Sequence, residues 1–159
     1  MKLENMYQEI ILDHYKHPHG KGLAENFEAE VHHVNPTCGD EITLRVSRGI
    51  NGKIVVSYDN MGCSISQASA SIMFDQINNL DFESGEAAVD HLVAMLQRSV
   101  EADEDILGDG IALAGVAQYP ARVKCALLAW MAWKDAAIQA GLGNPGGTEN
   151  SEESNKEQS

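Results

Sequence analysis

Apolar residues recur at helical spacing along residues 3–16, where Leu3, Met6, Tyr7, Ile10, Ile11 and His14 fall on one face. The run HPHGKG at 17–22 ends that helix, because proline disfavours helical geometry in the residue before it. Beyond it the period drops to two. EAEVHHVN (28–35) predicts a first strand, and EITLRVSR (41–48) a second, with Ile42, Leu44 and Val46 alternating against Thr43, Arg45 and Ser47. Asn51-Gly52 signals a hairpin turn, after which KIVVSYDN returns as a third strand with Ile54, Val56 and Tyr58 on one face. Past residue 62 the pattern is helical: 66–79, 84–99, a short apolar piece at 110–117, and 120–141. Pro120 suits the first turn of the last helix, and Gly141 suits its C-terminal cap. Strands followed by helices, rather than alternating with them, predict an α+β fold: a small three-stranded antiparallel sheet packed against helices.

Composition narrows this picture. A chain of 159 residues is long enough for one domain with its own core, expected over 1–141. Residues 142–159 are rich in Gly, Ser, Glu and Asn, lack an apolar face, and are expected to form a disordered acidic tail. Three cysteines cannot all pair, which argues for a reducing cytoplasm rather than a secreted disulfide framework. The N-terminus has no apolar signal-peptide core, and the longest apolar run, CALLAWMAW, is far too short to span a bilayer. A cytoplasmic protein with no membrane association is expected. The net charge of −13 speaks against nucleic acid as a partner, since phosphate binding needs a basic face. From Asp81 to Gly110 there are nine acids and one base, Arg98. That segment is either a solvated helical surface or a docking face for a basic partner, with Asp103, Glu104 and Asp105 as its candidates.

Each cysteine falls at a break between predicted elements. Cys38 lies in the turn between the first two strands, Cys63 where the third strand gives way to a helix, and Cys125 in the first turns of the last helix. They are separated by 25 and 62 residues, so only folding can bring them together. Gly39 lets Cys38 and Asp40 turn toward the same point despite their spacing of two. Cys63 and Cys125 both approach helix N-termini, and Arg122 and Lys124 stand near Cys125, which is expected to favour thiolate. Three thiolates and a carboxylate make a tetrahedral set for Zn²⁺; the alternative is three unrelated reduced thiols. The five N-terminal histidines are either metal ligands or ordinary surface residues: His14, His17 and His19 lie near a helix C-terminus, whose dipole they would complement. His32 and His33 point to opposite faces of a strand.

Four motifs in order, DHYKHPHGKG, NPTCGD, GCSISQASAS and PARVKCALLAW, run from the first helix to the last and carry all three cysteines. Together they closely resemble the U-type iron–sulfur assembly proteins (the NifU N-terminal and IscU-like family), and within these the SUF-pathway branch, SufU. The resemblance implies a three-stranded sheet packed against helices, with Cys38, Asp40, Cys63 and Cys125 as metal ligands at one exposed edge. Scaffold members of the family, which build a 2Fe–2S cluster, carry histidine immediately before the third cysteine; Lys124 stands there in this chain. The SUF branch carries an insertion between the second and third cysteines, which the acidic stretch 81–110 resembles. Both features imply a zinc-dependent sulfurtransferase, with an iron–sulfur cluster scaffold as the alternative.

The implied donor is a pyridoxal-phosphate cysteine desulfurase carrying a persulfide, and the implied recipient a downstream SUF scaffold. A ligand exchange at Zn²⁺ would free Cys38, in its mobile glycine-flanked loop, to accept the terminal sulfur. Asp40 would keep the site electrostatically soft. Arg122 would anchor the partner or a departing Cys38, against the alternative of a solvated helix arginine. Two other readings are a non-catalytic adaptor with a structural zinc and a hydrolase using Cys63 as nucleophile with a histidine base.

Overall fold

The computed structural model describes the backbone of residues 2–98 and 100–142, and within that span the side chains from Tyr7 onward. Helix α1 (Lys2–Lys16) is followed by strands β1 (Ala29–Asn35), β2 (Asp40–Arg48) and β3 (Ile54–Met61). Helices α2 (Ser64–Ile77), α3 (Phe82–Arg98) and the single turn α4 (Glu104–Leu107) come next, then a 3-10 segment (Gly108–Gln118) and α5 (Pro120–Gln139). The strands form one antiparallel sheet in the order β1-β2-β3, which is the α+β architecture expected from the sequence.

The alternation of apolar and polar residues sets the register. Val31 pairs with Leu44 and Leu44 with Tyr58, forming one inward row, while Val46 pairs with Val56 in the next. Ile42, Leu44 and Val46 are buried, and the intervening residues are half-buried. The β2–β3 connection is longer than a two-residue turn: Gly52 N–H donates to Gly49 O at 2.9 Å, and Gly49 N–H to Lys53 O at 2.7 Å.

Helix α5 lies across β1 and β2, and α2 packs on β3 and α5. The inward face of α5 alternates Ala126, Ala129, Ala132, Ala136 and Ala137 with two fully buried indoles, Trp130 and Trp133. The alanines let backbones approach while the indoles fill the space between layers. Ser69 Oγ donates to Ala126 O at 2.6 Å and accepts from Trp130 Nε1 at 2.9 Å. Without that serine, the buried indole N–H would carry a desolvation cost of about 1–3 kcal/mol.

Helix boundaries shift where caps are unusual. α2 begins two residues earlier than expected because Cys63 is its N-cap, its sulfur accepting from Ser66 N at 3.5 Å; sulfur is not a side chain that signals a cap in sequence. α3 begins at Phe82, with Asp81 Oδ1 accepting from Ser84 N at 2.7 Å. At the far end of α5, Gly141 N–H donates to Ile138 O and Leu142 N–H to Ala137 O, closing the helix as anticipated. Leu142 is buried and belongs to the core. The rest of the expected tail, and Ser99 at the end of the third predicted helix, lie outside the described residues. Among the described residues no helix is long and apolar enough to cross a membrane.

A candidate metal centre at the edge of the sheet

The β1–β2 connection is Pro36-Thr37-Cys38-Gly39. Asn35 O accepts from Cys38 N at 3.2 Å and Gly39 N at 2.9 Å, and Gly39 takes the left-handed conformation (φ +72°) that swings the chain back into β2. Asp40, the first residue of β2, is thereby turned inward and is fully buried. β3 ends beside it. Gly62 (φ +146°) passes so near that a Cβ there would run into the Asp40 carboxylate and sit 2.9 Å from its Cα. The backbone of Cys63 then donates to Asp40 Oδ1 at 2.9 Å, and its Sγ lies 3.9 Å from Asp40 Oδ2.

Cys125 comes up from below, on the second turn of α5. Its sulfur lies 3.3 Å from Cys38 Sγ and accepts from the buried Asn35 Nδ2 at 3.6 Å. Ligand atoms of Cys38, Asp40 and Cys125 all fall within 4.8 Å of one another, and Cys63 joins through its contact with Asp40. All three cysteines are free thiols; Cys125 is buried, whereas Cys38 and Cys63 are half-buried. The cluster is therefore open on one side.

The expectation that α5 and its basic residues favour a Cys125 thiolate is overturned. Burial pushes this thiol well above its usual range, and hydrogen bonding with Asp40, Cys38 and Cys63 pushes it further. Arg122 and Lys124 are both exposed and turn their charge to solvent. Three sulfurs and a carboxylate so closely gathered are a concentrated set of donors for a cation. Zn–S bonds of about 2.3 Å imply sulfur separations of about 3.8 Å in a tetrahedron, and Cys38 Sγ and Cys125 Sγ, 3.3 Å apart, need open only a little to reach it. The donor set fits a divalent cation.

None of the described contacts brings a histidine to this cluster. His32 is paired with Glu41 and Thr43, and His33 with Asp135. Cys63 contacts Asp40 and Ser66 N, so a hydrolytic Cys63 has no histidine base in hydrogen-bond reach among the described residues. Arg122 lies on the first turn of α5 and lines an open groove of about 930 Å³ with Tyr7, Ile11, Ser64, Ile65 and Tyr119. It stands beside the Cys63 corner rather than within the cluster. Two residues of the site escaped the sequence reading: Asn35, whose only signal was a polar side chain at an inward strand position, and Gly62.

The sequence profile of the NifU-like N terminal domain matches residues 6–126. The chain belongs to that family. This NifU-like domain is 39% identical to the zinc-dependent sulfurtransferase SufU of Bacillus subtilis (strain 168) over 145 residues, covering 89% of this chain and 96% of that one. It is 38% identical to the iron–sulfur cluster assembly scaffold protein IscU of Streptococcus pyogenes serotype M1, covering 85% and 84%. Its fold superposes on the crystal structure of an iron–sulfur cluster assembly scaffold protein for the SUF system (FiSufU) from Fervidobacterium islandicum AW-1 with a TM-score of 0.74 at 36% identity, covering 80% of this chain and 93% of that one.

Proposed function

We propose that this chain is a sulfurtransferase of iron–sulfur cluster assembly, accepting persulfide sulfur on Cys38 from a cysteine desulfurase and passing it to a downstream SUF scaffold. The observation that carries the reading is the one-sided cluster itself: a half-buried Cys38 on a loop, 3.3 Å from a fully buried Cys125. Cys38, Asp40, Cys63 and Cys125 would hold Zn²⁺. Bound there, the ion supplies positive charge that keeps thiols deprotonated at neutral pH and has no redox chemistry of its own. The likeness to Bacillus SufU, and Lys124 in place of the histidine of cluster scaffolds, support this reading over a scaffold. Free thiols suit a reducing cytoplasm.

The chain's own residues divide the work. Cys38 sulfur attacks the terminal sulfur of the donor persulfide; a new S–S bond forms on Cys38, the donor's S–S bond breaks, and the donor cysteine departs as a thiolate. No net oxidation is needed. Asp40, fixed through Oδ1 by the Cys63 N–H, stays in place while the Cys38 loop moves. Asn35 stabilises negative charge on Cys125 from the buried side. Arg122, exposed at the rim of the groove, would anchor the partner or a departing Cys38.

The test is desulfurase turnover with and without the zinc-loaded chain, with intact-mass detection of an adduct of about 32 Da, one sulfur atom. Stimulated turnover and transient sulfur on Cys38 are expected, and Cys38→Ser is expected to fold yet take up none. A chain that gives no stimulation but assembles a cluster once iron is supplied is a scaffold, the reading favoured by its likeness to Streptococcus IscU. Global unfolding of Cys38→Ser would instead mark a purely structural site.

A further inference from the structure

Asn35 sits where the exposed and the buried halves of the cysteine centre meet. As the last residue of β1 it is 7% exposed and stands opposite Asp40 in the sheet. Its main chain faces the Cys38 turn, the carbonyl accepting from Cys38 N at 3.2 Å and Gly39 N at 2.9 Å. Its side chain faces the core, with Nδ2 donating to Cys125 Sγ at 3.6 Å. We propose that Asn35 determines which thiolate exchanges: it secures Cys125 on the ion while Cys38 departs, and so directs incoming sulfur to Cys38, a positioning role that rests on Cys38 being the acceptor.

The three sulfurs differ in what they receive from nitrogen. Cys63 Sγ accepts from Ser66 N at 3.5 Å in the cap of α2, and Cys125 Sγ accepts from Asn35 Nδ2. Among the described residues Cys38 Sγ receives no N–H; its neighbour is the Cys125 sulfur at 3.3 Å. An N–H donated to a thiolate favours the charged form and draws electron density from the sulfur, which lowers its nucleophilicity. Cys38 is the one sulfur spared that loss. Exposure acts in the same direction, since Cys38 is half-buried and Cys125 fully buried.

The chemistry of the position suits a neutral donor. An aliphatic side chain would leave a buried thiolate without a partner, and a carboxylate would repel it. Arg122 and Lys124, the cations nearest in sequence, are exposed and turn away. When Cys38 leaves, Asp40 and Cys63 stay tied through the Cys63 N–H on Oδ1 at 2.9 Å, and Cys125 stays tied through Asn35. The turn from Pro36 to Gly39 therefore moves on a base whose remaining ligands are each held by a hydrogen bond of their own.

The experiment is a Co²⁺ titration of the full chain, read by the sulfur-to-cobalt charge-transfer band, with no desulfurase present. Asn35→Leu keeps the branched shape of the side chain and removes the donor. It is expected to weaken binding roughly 10- to 100-fold and to move the band to longer wavelength, because sulfur lone pairs lie higher in energy without the N–H. Cys38→Ser, which imitates the departed thiolate, should keep a charge-transfer band, and adding Asn35→Leu to it should abolish that band. In a Cys125→Ser background the same substitution should change neither affinity nor band. Asn35→Asp, closest in shape but bringing negative charge to the sulfur, should bind more weakly than Asn35→Leu and serves as the test if the leucine variant fails to fold, with circular dichroism as the check. Unchanged affinity and band in the Asn35 variants, or an equal loss in the Cys125→Ser background, overturns the proposal. Because no sulfur donor takes part, that outcome is distinct from a failure of desulfurase stimulation, which would sink the sulfurtransferase reading and leave the Asn35–Cys125 coupling intact.

Discussion

Asp40 and Gly62 compete for one small volume, and the glycine yields it. Any side chain at 62 must both adopt a positive φ and push against a buried carboxylate. Gly62→Ala is therefore expected to destabilise the fold by about 1–3 kcal/mol and to displace Asp40 from Cys63, lowering Co²⁺ affinity at the cysteine centre. Urea midpoints and the charge-transfer band measure the two effects separately; an alanine variant with wild-type values for both would show that the neighbouring backbone adjusts freely. The cysteines and Asp40 were legible in the sequence because thiols between elements, and a carboxylate two residues from one of them, are uncommon choices for a core. Gly62 and Asn35 were not. The role of Gly62 arises only once β2 and β3 pair Glu41 with Met61, setting residue 62 beside residue 40, and that of Asn35 only once the end of β1 meets Cys125 of α5.

The strands were readable because their period-two pattern has a buried face to match, and α5 because a proline, an apolar run and a terminal glycine agree on its limits. Short elements lack such redundancy. α4 is a single turn inside a segment that reads as uniformly acidic, and its cap is local: Asp103 Oδ1 accepts from Asp105 N at 3.0 Å. Asp81 makes a comparable cap at α3, where hydrogen bonds from the Ser84 backbone and then its hydroxyl hold the carboxyl below its ordinary value of 3.8. A depressed pKa in the folded state means stability that is present above that ordinary value and lost as pH falls through the lowered one. Asp81→Ala should thus melt at a lower temperature than the native chain from pH 7 down to about pH 4, and the gap should narrow only below that. Thermal melts of both chains across this range test it; a gap that already closes above pH 5 would assign the effect to another group.

For the molecule as a whole, the −13 charge divides into acids with internal work and acids without it. Of the nine between Asp81 and Gly110, Asp81 and Asp103 cap helices, Asp109 holds His14, and Glu86 and Asp90 face Lys134. That leaves Glu83, Glu101, Glu104 and Asp105, of which Glu104 and Asp105, together on one exposed turn, are better probes of partner docking than Asp103, whose loss would also uncap α4. If this turn meets a basic face of the desulfurase, Glu104→Gln with Asp105→Asn should weaken association several-fold at low salt and flatten its salt dependence, as titrated by calorimetry at two ionic strengths. Equal affinities would return the segment to ordinary surface. Charge counting alone could not make this division, because a carboxylate used as a cap and one left to solvent look alike in a sequence. Cys125 belongs to two systems at once: by burial it is part of the core beneath α5, and by chemistry it is the floor of the cysteine cluster. Whatever binds that floor in the folded chain and not in the open one must stabilise the fold, by about 2.7 kcal/mol at a hundredfold excess over its dissociation constant, and so raise the melting temperature with its concentration. The fold is thus a gauge of its own cargo, and loading can be followed by heat alone.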